Sequence, residues 1–113
     1  MSQRELLSII VCLRGQRQSV LQELSALRLS LLQNDTEEGI RAFRELCSVL
    51  LAMEQLVEVA KLAAGDEHAR ELAVAEDLRT RTLEESVPLL TAARHDLPGA
   101  AEALRSFIED PDR

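Results

Sequence analysis

Apolar residues recur at spacings of four and three along the first third of the chain: Leu6, Ile10, Leu13, then Val20, Leu24, Leu27 and Leu31. A seam of that period can be satisfied only by a long helix packed lengthwise on other helices. One position breaks it, Arg17, where a charged side chain stands in the seam. Ser2 and Glu5 have the spacing of a capping box, so the spacing predicts a first helix over about 2–33. Gly15 is the weak point within it, since glycine costs about 1 kcal/mol relative to alanine in a helix interior.

The polar break Asn34-Asp35-Thr36 follows, with Asp35 placed to cap a second helix. Glu37 and Glu38 lie in its first turn, where the positive helix end favours them. That helix is expected over about 36–64, with a stripe of Phe43, Leu46, Leu50, Met53, Val57 and Ala64. Gly65 is placed to end it as a C′ residue, and Asp66 to cap a third helix over about 66–95. There Leu72, Leu83, Val87, Leu90 and Leu97 share a face, while Pro88 should kink or end the helix. After a break at Pro98-Gly99, a short last helix to about 108 would carry Leu104, Phe107 and Ile108 on one side. The short connections make neighbours antiparallel. The expected fold is therefore all-α: one domain over 1–113, an antiparallel bundle of three long helices plus a short C-terminal one.

Composition narrows the function. Aromatic residues are 2% of the 113, with no Trp or Tyr, so the core must be aliphatic. The formal charge of −7 argues against a nucleic-acid partner, because phosphate binding needs a concentrated positive footprint. The charge is uneven: residues 1–33 carry four Arg against two Glu, and the remainder nine basic against eighteen acidic residues. A basic first helix against acidic neighbours accounts for this. Two cysteines, Cys12 and Cys47, are too few for a disulfide framework or a structural zinc site, and Cys47 reads as a small core residue.

Residues 6–13 (LLSIIVCL) are too short to span a bilayer. They resemble a signal core ending at a lipid-modified Cys, but Val11 stands where a small residue is needed and the heptad continues through. The expectation is a cytoplasmic chain without a membrane span. No catalytic or nucleotide motif is present, and no cofactor is expected. His68 lies among Asp66, Glu67 and Glu71. Those acids serve as cap and dipole partners, and a metal site would need a second cluster. His95 reads as a surface residue near a negative helix end.

The interruptions of the stripes carry more information. Arg17 breaks the first and Glu54 the second, about seventeen and nineteen residues from the turn between them. Counting through the next turn brings Glu76 and Arg79 of the third helix to a similar level. Three readings are open for this layer. Arg17 can snorkel from the seam's edge; it can form a buried ion pair with Glu54 that fixes register; or the layer can line a ligand pocket. All-helical chorismate mutases use such a pocket, with several basic residues to hold a dicarboxylate, whereas Lys61 is the only lysine here. Of these, the matched heights favour Arg17 and Glu54 within salt-bridge distance and largely buried.

Apolar residues also fall off the stripes: Val49, Leu56 and Val59 on one flank of the second helix, Leu51 and Leu62 on the other, Val11 and Leu29 opposite the first seam. A three-helix core has no place for them, so they point to a partner: a second copy or another protein's helix.

The run at 24–56 (LSALRLSLLQNDTEEGIRAFRELCSVLLAMEQL) resembles the first hairpin of the flagellar and type III secretion export chaperones. Those are small, acidic, cytoplasmic helical proteins with a long first helix, a polar Asn/Asp turn and an acid-opened second helix. The resemblance implies binding of an amphipathic C-terminal segment of an export client. It also implies that Leu104, Phe107 and Ile108 form a cover, with Leu83, Val87, Leu90 and Leu97 beneath. The alternative is a structural homo- or hetero-oligomeric subunit with no client; a small helical enzyme comes third.

Overall fold

The computed structural model describes residues 2–97, so the expected last helix, with Leu104, Phe107 and Ile108, lies outside the described residues. Three long helices pack side by side: α1 (Gln3–Gln33), α2 (Thr36–Ala63) and α3 (Ala69–Asp96). At about 1.5 Å per residue, α1 spans nearly the whole 49 Å long axis of the molecule. Every described element is helical, and the all-α bundle expected from the heptad is the fold.

The caps follow from the sequence at the first two helix starts. The Ser2 hydroxyl accepts from the Glu5 N–H at 3.2 Å, and an Asp35 carboxylate oxygen accepts from the Glu38 N–H, also at 3.2 Å. Between them Asn34 adopts a left-handed conformation (φ 56), and the Asp35 N–H donates to the Ser30 carbonyl. Asparagine tolerates that conformation, which lets the chain reverse within two residues.

The second connection differs from expectation. Gly65 is extended rather than left-handed, and α2 ends at Ala63 with Ala64 as its cap. Asp66 opens a one-turn 3-10 segment, Asp66–His68, and provides no side-chain cap; α3 begins three residues later at Ala69. Pro88 does not end α3. Pro88 and Glu84, whose carbonyl loses its intrahelical N–H partner, are both exposed. The cost is reduced because water can reach that carbonyl.

The core follows the first two stripes. Leu6, Leu13, Val20 and Leu27 of α1 and Phe43, Leu46, Met53 and Val57 of α2 are fully or almost fully buried, with Cys47 among them. Burial pushes the Cys47 thiol up to about 11.

The third stripe is corrected. The buried face of α3 is Ala75, Leu78, Thr82, Ser86 and Ala93, whereas Leu83 and Val87 are 43% and 47% exposed. Thr82 and Leu83 differ by one residue, or about 100° around the helix. Small and hydroxyl side chains face inward because their hydrogen bonds are met locally. Thr82 Oγ1 donates to the Leu78 carbonyl at 2.6 Å, and Ser86 Oγ donates to the Thr82 carbonyl at 2.7 Å. A polar side chain satisfied within its own helix loses little by burial, and its small volume lets the helices approach. Leu97, at the end of α3, is buried against Gly39 of α2.

Candidate functional site

Two features could serve function: the polar layer, and the apolar side chains left outside the core.

The polar layer exists but pairs differently from the sequence expectation. Arg17 does not meet Glu54. One Arg17 guanidinium nitrogen donates to Thr82 Oγ1 at 2.9 Å, and another donates to both carboxylate oxygens of Glu85 at 2.8 and 3.0 Å. Glu54 accepts instead from Arg79, at 2.7 and 2.8 Å. The reason is angular. Arg17 lies on the edge of α1 that borders α3, and Glu54 on the edge of α2 that borders α3, so each turns to the third helix. Their partners on α3 start at Thr82 and Arg79, about 4.5 Å apart along the axis, so the matched height was sound and the facing was not. Nor is the layer deeply buried. The Arg17 and Arg79 side chains are 19% and 21% exposed, while Glu85 and Glu54 are 45% and 43% exposed. Glu76 is half-buried and forms no salt bridge among the described residues.

Sequence reasoning missed Glu85 and Thr82. Thr82 and Glu85 lie three and six residues beyond Arg79, about 60° and 120° around α3 from it. Arg79 therefore turns to α2 while these two turn to α1, a division that only the correct facing of the helix would have given. Each arginine of the layer is met by a carboxylate. Chemically the arrangement ties α3 to both other helices, and its charged groups face one another.

The apolar flank of α2 divides. Val49 and Leu56 are half-buried and pack against the core, while Val59 is 53% exposed. The expectation that all three lack a place in the bundle is corrected for the first two, which fill the edge of its core. On α3, Leu83 and Val87 stand out of the surface, Leu90 is half-buried against the core, and Leu97 is buried. Leu97 therefore offers a partner no surface in this state. Val11, Leu29 and Leu62, off the stripes in the sequence, are exposed.

His95 is exposed, and His68 lies 3.6 Å from a Glu67 carboxylate oxygen. Among the described residues no helix is long and apolar enough to cross a membrane. No family model, no curated protein and no solved structure matches the chain.

Proposed function

We propose that the protein is a non-catalytic binding module that holds an amphipathic helical segment of a client protein, as a cytoplasmic export chaperone does. The observation that carries this reading is the pair Leu83 and Val87. A bundle whose core closes on Thr82 and Ser86 leaves two branched aliphatic side chains, four residues apart, on the outside of α3. Spacing of i and i+4 is what an incoming helix needs to lay its own apolar stripe alongside. Leu90 extends the strip toward the end of the helix.

The test is site-specific photo-crosslinking in cells from Leu83 and from Val87, with exposed Gln22 of α1 as the polar control. A chaperone gives one dominant adduct at the apolar positions. The captured protein's C-terminal segment should then bind the purified chain, and Leu83→Glu should weaken that binding at least ten-fold. Adducts no different from those at Gln22 would remove the reading.

The structural-subunit alternative is favoured by a different observation. Val59 and Leu62 of α2 are 53% and 86% exposed and one turn apart. A dimer seen by sedimentation and dispersed by Leu62→Glu would support that reading.

A further inference from the structure

A second apolar surface lies at the opposite end of the bundle, where α1 begins. Leu7 and Val11 are 48% and 65% exposed and one turn apart on α1; Val74 of α3 is 39% exposed beside them. With Ile10 they line an open cleft of about 270 Å³ between the two helices. Its polar rim is basic. Arg14 and Arg70 line the same cleft, and Arg4 borders the adjoining hollow over Leu7 and Val11. None of these three arginines forms a salt bridge among the described residues, in contrast to Arg17, Arg41, Arg79 and Arg81. The acid in the lining, Glu71, accepts a hydrogen bond from the Gln3 side-chain amide at 2.9 Å. That bond foremost, and in smaller part the neighbouring Arg70, holds its carboxyl below the usual range, so the rim sets three positive charges against one negative.

We propose that this cleft docks an amphipathic helix of another protein whose apolar stripe is flanked by acidic residues. Charge complementarity selects the occupant. On a chain of net charge −7, a local cluster of three arginines, none of them in a salt bridge among the described residues, around apolar side chains is matched by carboxylates on the incoming helix.

Other occupants fit worse. Two copies related by a two-fold axis through the cleft would set arginine against arginine. The chain's own C-terminal residues follow Leu97, at the far end of α3 from this cleft. Val74 lies about 35 Å from Leu97 along the helix, so a segment following Leu97 would have to run back the length of α3 to reach it. An anionic bilayer would meet a strongly acidic molecule carrying only aliphatic anchors in a concave seat. The inference does not depend on the Leu83–Val87 strip, which lies at another level of α3.

The experiment uses the full chain, labelled with ¹⁵N, and two synthetic 18-residue helices with the same leucine stripe. One peptide carries Glu on its flanks and the other Lys. The Glu peptide should shift the amide signals of Leu7, Val11 and Val74 saturably, with at least ten-fold higher affinity than the Lys peptide. Added salt should weaken it, since the flanking charges are exposed. Val74→Glu should abolish the effect, and Leu83→Glu should leave it intact, which separates this site from the client strip. Equal affinity for both peptides, no saturable shift, or shifts confined to the Leu83–Val87 strip would overturn the proposal. So would binding of phosphatidylglycerol vesicles lost in Val74→Glu, or self-association lost in Val11→Glu, since each assigns the cleft a different occupant.

Discussion

Replacing Arg17 by Met removes the guanidinium while keeping an unbranched apolar stem in the seam. Its cost can be built from the contacts. The ion pair with Glu85 involves a carboxylate nearly half exposed, so water screens it and its contribution is about 0.5–1 kcal/mol. The bond to Thr82 is made by a charged donor to a fully buried hydroxyl, which raises its weight to about 1.5 kcal/mol or more. Two effects offset this. The Thr82 proton stays committed to the Leu78 carbonyl, leaving only an acceptor lone pair unmet, and the Met side chain buries in place of the Arg stem. The net expected loss is about 1–2 kcal/mol, well below the 3–5 kcal/mol that follows from breaking a fully buried pair. Urea denaturation followed by circular dichroism at 222 nm measures it. A double-mutant cycle locates it: Arg17→Met with Glu85→Gln should couple by about 0.5–1 kcal/mol, and Arg17→Met with Glu54→Gln by less than about 0.3 kcal/mol. In 1 M salt the first coupling should shrink. Coupling to Glu54 instead of Glu85, or a loss above about 3 kcal/mol, would refute both the pairing and the exposure on which this reasoning rests.

Gly15→Ala should stabilise the chain by about 1 kcal/mol in urea denaturation, since a Cβ there meets nothing within 4 Å. Gly39→Ala should lack that gain, because its Cβ would stand 2.8 Å from Leu97 Cδ2 and the shift of that side-chain end offsets the roughly 1 kcal/mol of helix propensity. In the folded protein a thiol reagent should label exposed Cys12 quickly and Cys47 only on unfolding. Because the folded-state pKa of Cys47 is raised, to about 11, the unfolded chain releases its thiol proton first. Stability should therefore fall as pH rises from about 9 toward 11, and Cys47→Ala should flatten that part of the pH profile in thermal melts.

Local rules were enough to read α1, α2 and the turn between them. Their stripes are made of large aliphatic residues at helical spacing, and the caps at Ser2 and Asp35 depend only on neighbours three residues away. Even the left-handed Asn34 is marked by residue type. The third helix was legible as a helix but not in its facing. Its large apolar residues Leu83 and Val87 point outward, while Thr82 and Ser86 go in because intrahelical bonds to Leu78 and Thr82 satisfy them. Hydrophobicity alone ranks those four residues the other way. The polar layer divides along the same line. Counting residues from the turns placed Arg17, Glu54 and Arg79 at neighbouring heights, since axial rise is fixed at about 1.5 Å per residue. Which carboxylate each arginine reaches depends on how the three helices are rotated about their axes. Packing of all three together sets that rotation, and it put Glu85 beside Arg17 and the basic cleft beside Leu7, Val11 and Val74.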